Sequence, residues 1–167
     1  MENNFMEIVT SCSTNSDSWQ VILNKAKHFA IEKNKKVLIY DVINEYPQFI
    51  TVPLKELSGF GLQKTIEIGR ILPVLMDGSP VSISEIIRIL KQILEDGRRT
   101  ILLLPHFNKY FYEKDDVSLE IIAELCTINH KNIDVIIYVE NIASIPEKIK
   151  ENCTKIYEMN RLEYEKK

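Results

Sequence analysis

The chain is 167 residues long, 45% apolar and 27% charged, with a net charge of −3. That length fits one domain with a proper core, and the composition lies in the globular range. No apolar run approaches the roughly 18 residues that a membrane helix needs, and the charge balance offers nucleic acid no overall attraction.

Taken in chain order, short β-branched runs alternate with stretches of helical period, the pattern of βαβ units. Phe5 to Val9 reads as a first strand. A polar loop follows, and then Ser18 to Lys33 carries Trp19, Ile22, Ala26, Phe29 and Ala30 at helical spacing. Val37 to Tyr40 is a second strand. The stretch 44–80 holds four of the six prolines and four of the five glycines and breaks the rhythm with extended pieces at Phe49 to Val52 and Ile66 to Leu72. It reads as an irregular insertion or edge region within a single domain covering 1–167.

Ser82 to Asp96 is a bounded amphipathic helix, with Ser82 and Glu85 in a capping box and Gly97 as its stop. Thr100 to Leu104 is the next strand, and Ser118 to Asn129 a helix apolar on nearly every side, which calls for cover beyond one sheet face. Ile133 to Val139 and Lys155 to Tyr157 complete the strands. The expected architecture is α/β, a mainly parallel sheet of about five strands with helices on both faces, Ile101 to Leu104 and Ile133 to Val139 among the central strands.

Cys12, Cys126 and Cys153 are odd in number and lack C-x-x-C spacing, so reduced thiols are expected rather than disulfides or zinc. Met1-Glu2-Asn3-Asn4 lacks the basic start and long apolar stretch of a secretory signal, which points to a cytoplasmic protein. The pairs Lys35-Lys36 and Arg98-Arg99 are local positive spots, ordinarily solvated.

Between the first strand and the first helix, a phosphate-binding loop would read G-x-x-x-x-G-K-[ST]. Here Ser11-Cys12-Ser13-Thr14-Asn15-Ser16-Asp17-Ser18 keeps the length and the final hydroxyl, while Ser11 and Ser16 replace both glycines and Asp17 replaces the lysine. The glycines let backbone N–H groups approach phosphate oxygens, and the lysine neutralises the terminal phosphates. At an effective dielectric of about 20 and a separation of about 4 Å, one charge pair is worth roughly 4 kcal/mol, so a lysine-to-aspartate exchange turns attraction into repulsion. The same Ser16-Asp17-Ser18 run is favourable as a polar helix cap.

A second site belongs at the end of the Thr100 to Leu104 strand, where P-loop ATPases place an acidic pair for magnesium and water. Here the strand runs into Pro105-His106. Proline offers a metal nothing, and neutral histidine is a poor substitute for a hard oxygen ligand.

With those positions aligned, most of the chain resembles the HerA/FtsK-type P-loop ATPases, a group that includes viral DNA-packaging ATPases and zonular occludens toxin-like proteins. Val37 to Asp41 with Glu45-Tyr46 resembles that family's second strand, and Arg70-Ile71-Leu72-Pro73 a following edge strand. His130 to Asp134, Ile137 to Glu140, Ile145-Pro146, Ile149, Asn152 and Arg161 resemble its C-terminal run, with Val139-Glu140 where the sensor is usually Thr-Gln.

The resemblance implies a P-loop fold, and the three departures imply lost catalysis. The expectation is a pseudo-ATPase, with no catalytic residue, no metal site and no cofactor, serving as a structural or interaction subunit, in a phage or mobile-element assembly. Its partner is a protein or a further copy of itself; nucleic acid is not supported by the charge, and a membrane is not expected. A phage setting would make it virion-associated. Two other readings compete: an active DNA-translocation or packaging ATPase with a non-standard loop, and a Rossmann-like domain in which Asp41 contacts a ribose. The absence of G-x-G-x-x-G after the first strand speaks against the latter.

Overall fold

The computed structural model describes residues 6–11, 18–32, 35–57, 68–74, 78, 81–91, 100–107, 116–126 and 133–159. Its strands are β1 (Met6–Ser11), β2 (Lys36–Tyr40), β3 (Ile50–Thr51), β4 (Ile68–Ile71), β5 (Thr100–Leu104), β6 (Ile133–Val139) and β7 (Lys155–Met159). The helices are α1 (Ser18–Glu32), α2 (Ile83–Lys91), α3 (Asp116–Cys126) and α4 (Glu147–Glu151), with 3₁₀ turns at Leu54–Glu56 and Ile142–Ser144.

The strands form one sheet in the order β3-β4-β2-β5-β6-β1-β7. Every ladder is parallel. The expected α/β architecture is therefore the one found, with β5 in the middle and β6 beside it. The sheet has seven strands because the two extended pieces of the stretch 44–80 both join it, β4 alongside β2 and β3 outside β4. A two-residue strand such as β3 has no periodicity of its own; pairing with β4 is what makes it a strand.

The direction of each crossover decides which face its helix covers. The steps β4 to β5, β5 to β6 and β6 to β7 move one way across the sheet, and β1 to β2 moves the other way. Right-handed crossovers then put α2, α3 and α4 on one face and α1 on the opposite face. The packing follows suit. Ile86 and Ile87 of α2, Ile121 and Leu125 of α3 and Ile149 of α4 share a cluster with Ile8, Leu38, Leu102, Leu104, Val135 and Ile137. Ile22, Ala26 and Ala30 of α1 pack on Val9, Val37, Ile39, Ile101, Leu103, Ile136 and Tyr138. Alternate residues of one strand thus serve opposite faces, which is why β2, β5 and β6 read as near-continuous apolar runs, with Asp134 of β6 as an exception.

The start of α2 is fixed by Ser82, whose Oγ accepts from the Glu85 N–H at 3.2 Å, half of the expected capping box; Gly97 lies outside the described residues. In α3, Ile121 and Leu125 are buried, while Leu119 is 59% exposed and Ala123 is also exposed. This helix sits between α2 and α4 with an uncovered outer side. Arg88 of α2 ties to it through Glu124 at 3.2 Å and Glu120 at 3.6 Å.

Two cysteines meet at α4. The Cys126 Sγ accepts from the Asn152 side-chain amide at 3.3 Å, and the Cys153 thiol donates to the Ile149 carbonyl at 3.2 Å. Both are free thiols. Burial raises each, and pushes Cys153 from the ordinary 9.0 up to about 12. Burial likewise raises Tyr40 from 10.0 to about 12, and its hydroxyl donates to the Val81 carbonyl at 2.8 Å.

At the opposite end of the sheet, the amino end of β6 carries Asp134, fully buried and 3.5 Å from the Lys35 ammonium, which also lies 5.8 Å from the centre of the Phe29 ring. Lys35, expected to be a solvated loop residue, is thus a buried partner. Removing the acid leaves its charge in a low-dielectric site, which is costlier than never having built the pair. Asp134→Ala should lower stability by about 3 kcal/mol in urea unfolding; a loss below about 1 kcal/mol would mean that the pair is effectively solvated. For the raised acids, the folded state holds protons that the unfolded chain releases. Stability should therefore fall as pH rises from about 9 toward 12, checked by melting across that range.

Candidate functional site

Parallel strands deliver all their C-terminal ends to one edge, where open α/β sheets place their ligand sites. Ser11, Asp41, Pro105-His106 and Glu140 all lie there, at or just beyond the ends of β1, β2, β5 and β6.

β1 runs two residues past the expected Val9. Its pairing with β6 stops at Thr10↔Val139, but the ladder with β7 continues to Ser11↔Met159. Ser11 is consequently the last residue of a strand, and Ser18 is the first residue of α1. The remaining phosphate-loop positions, Ser16 and Asp17 among them, lie outside the described residues, as do His130 and Arg161. Thr10 Oγ1 donates to the Glu140 carbonyl at 3.3 Å, joining the ends of β1 and β6. Glu140 itself is exposed, and Asn141 behind it accepts from the Ala143 N–H at 3.0 Å, capping the 3₁₀ turn.

Pro105 and His106 leave β5 on the far side of β6 from Ser11, two strand spacings or roughly 10 Å away. His106 is buried, and its backbone is left-handed at φ 54. The ring Nε2 meets Glu45 Oε1, while Nδ1 has no partner among the described residues. A ring nitrogen facing a carboxylate is best satisfied as the donor.

Asp41 is the chief carboxylate of this edge, with 1% of its surface exposed. Its Oδ1 accepts from the Glu45 N–H at 2.7 Å, and its Oδ2 accepts from the Tyr46 N–H at 3.0 Å and from Arg70 Nη1 at 2.7 Å. Arg70 also donates from Nε to Thr51 Oγ1 at 3.1 Å and from Nη1 to the Asn44 side-chain carbonyl. Both carboxylate oxygens are thus in use, and the acid is shut off from solvent. A ribose contact by Asp41, one of the competing readings, has no room here. The buried Tyr46 hydroxyl is pushed up by burial first and by the Glu45 and Asp41 carboxylates second.

In the sequence, Asp41, Glu45 and Arg70 belong to separate segments, and no local pattern joins them. The available signal was an arginine inside the short strand Ile68–Ile71 and an aspartate directly after an apolar one, opposite charges that parallel neighbours bring side by side. Among the described residues, no group of three or more His, Cys, Asp or Glu is arranged to hold a metal, and no helix is long and apolar enough to cross a membrane.

Among the described residues, a parallel sheet with α1 on one face and α2 to α4 on the other, β1 preceding α1 in the chain, defines a P-loop NTPase-like fold. Among solved structures, the chain is similar to the genome-packaging NTPase B204 of Sulfolobus turreted icosahedral virus 2 in complex with ATPγS, at 14% identity and a TM-score of 0.66, over 95% of this chain and 75% of that one. It is also similar to the cytoplasmic domain of EssC, at 14% identity and a TM-score of 0.56, over 94% of this chain and 31% of that one. A protein from Pyrococcus horikoshii OT3, PH0250, matches at 13% identity and a TM-score of 0.52, over 97% of this chain and 85% of that one. No protein-family model matches the sequence, and no curated protein matches it significantly. The fold is thus the one implied by the resemblance to HerA/FtsK-type ATPases.

Asp41→Ala should cost about 3 kcal/mol, since it strands a mostly buried guanidinium and two N–H groups together. Urea unfolding checks this, and a cost under about 1 kcal/mol would show that water replaces the carboxylate freely.

Proposed function

We propose that the chain is a single P-loop NTPase-like domain that does not hydrolyse ATP and acts as a structural or interaction subunit, with a protein or a further copy of itself as its partner. The observation that carries this reading is the exit of β5. Where this fold class relies on carboxylates for magnesium and water, Pro105 has no ligand and His106 is buried against Glu45. The nearby acid that could stand in, Asp41, already accepts three hydrogen bonds.

The sequence between β1 and α1 supports the same conclusion from the nucleotide side. Ser11, Ser16 and Asp17 stand where a phosphate loop needs two glycines and a lysine, and Asp17 opposes the charge of a triphosphate. A viral or mobile-element assembly is the setting suggested by the genome-packaging role in the name of B204. Such a subunit would reside in the cytoplasm or in the particle itself.

One observation favours a second reading, an ATPase with a non-standard site. The paired imidazole and carboxylate of His106 and Glu45 lie at the ligand edge of the sheet, and His–carboxylate pairs can move protons.

Calorimetry with ATP and magnesium, followed by phosphate release, separates the two. The natural protein should show neither binding heat nor turnover. Combining Ser11→Gly, Ser16→Gly and Asp17→Lys should restore weak binding without hydrolysis, because the carboxylates after β5 are still missing. Magnesium-dependent turnover by the natural protein that disappears in His106→Ala would overturn the non-hydrolysing reading in favour of the second.

A further inference from the structure

Two non-glycine residues have a left-handed backbone among the described residues, Asn44 at φ 56 and His106 at φ 54. They are 62 positions apart in sequence, yet they belong to one connected set of contacts. Thr51 holds Arg70 Nε, Arg70 Nη1 reaches both Asn44 and Asp41, Asp41 holds the N–H groups of Glu45 and Tyr46, and Glu45 meets His106. The chain of contacts starts in β3 and passes the ends of β4 and β2 to the exit of β5, four strands that are successive neighbours in the sheet.

Members of this set share atoms. One guanidinium nitrogen serves two acceptors, and one carboxylate serves an arginine and two backbone donors. The side chains of Asp41, His106 and Arg70 are 1%, 9% and 12% exposed. The Thr51 and Asn44 contacts lie at the exposed end of the set and the Asp41 contacts at its buried centre; hydrogen bonds that share atoms in a low-dielectric place reinforce one another, and a loss there propagates. Left-handed backbone at a residue with a side chain is unfavourable and persists where its surroundings over-determine it. Both instances occur on this network.

We propose that the network is a conformational lock: it fixes the ligand edge of β3, β4, β2 and β5 in one arrangement using protein groups alone, with His106 as a positioning residue at its far end. The lock goes beyond the non-hydrolysing reading and does not require it, since each of its contacts joins two groups of the chain itself. Its consequence for that reading is an edge that presents residues 42–51 in a fixed form, independent of ATP.

Hydrogen exchange followed by mass spectrometry on the full chain, without nucleotide, tests this. His106→Gly is the informative variant, because glycine relieves the left-handed backbone while deleting the contact with Glu45. A lock predicts that His106→Gly and His106→Ala each cut protection across 42–51 by about tenfold, including the Tyr46 amide, which bonds to Asp41 and not to His106. Thr51→Val cuts the opposite end and serves where a histidine variant fails to fold. It should loosen the same segment, and the double variant should lose less than the two single losses combined. Protection unchanged or raised in His106→Gly, a loss confined to 105–107, or strictly additive variants would each overturn the lock. Because no ATP is present, these outcomes leave the hydrolysis question untouched, and turnover in the phosphate-release assay would leave the lock standing.

Discussion

A parallel sheet must be covered on both faces, because its crossovers lay helices over it and its strands have no solvent side to present. Most other features of the chain follow from that constraint. It requires near-continuous apolar runs in β2, β5 and β6, whose residues are buried throughout. It also directs α1 to one face and α2, α3 and α4 to the other, because the step from β1 to β2 crosses the sheet in the opposite direction to the steps from β4 to β5, β5 to β6 and β6 to β7. The same burial explains the raised thiol of Cys153 and the raised phenol of Tyr40, since neither group can ionise without water.

The two ends of the strands meet this constraint differently. At the amino end, charge is tolerated as a pair, Lys35 with Asp134, closed in by Phe29. At the carboxyl end, where the chain turns back and loops gather, polar groups are more numerous and are bound chiefly to one another. Asp41, Arg70, Asn44, Glu45 and His106 satisfy each other in a place where P-loop enzymes direct such groups at a nucleotide and its metal. The side chains of such an edge are engaged with one another.

Fold and chemistry place different demands on a sequence. The arrangement of strands and helices tolerates very different sequences, because it needs apolar character at alternating positions and a fixed crossover hand rather than particular residues. Phosphate binding and magnesium coordination tolerate much less, since each depends on a specific charge or on a backbone free of a Cβ. Serine in place of a phosphate-loop glycine, or proline in place of a carboxylate, would leave such a sheet intact while altering what its edge could do.

The sequence by itself determined the class of fold, because the apolar runs Val37 to Tyr40, Ile101 to Leu104 and Ile133 to Val139 and the capped helix after Ser82 are local patterns. It also set Pro105-His106 directly after the strand Thr100 to Leu104, since an apolar run and its end are local as well. Only the tertiary structure decided that Ile50–Thr51 and Ile68–Ile71 extend the sheet, for strands so short are defined by their neighbours. Tertiary structure alone also turned Lys35 into a buried ion-pair partner, left Leu119 of α3 uncovered and carried β1 on to Ser11 along β7. The union of Asp41 with Arg70 and of Glu45 with His106 belongs with these. Such contacts join residues 29 and 61 positions apart, and no local pattern records them, because strand order rather than spacing along the chain brings opposite charges together.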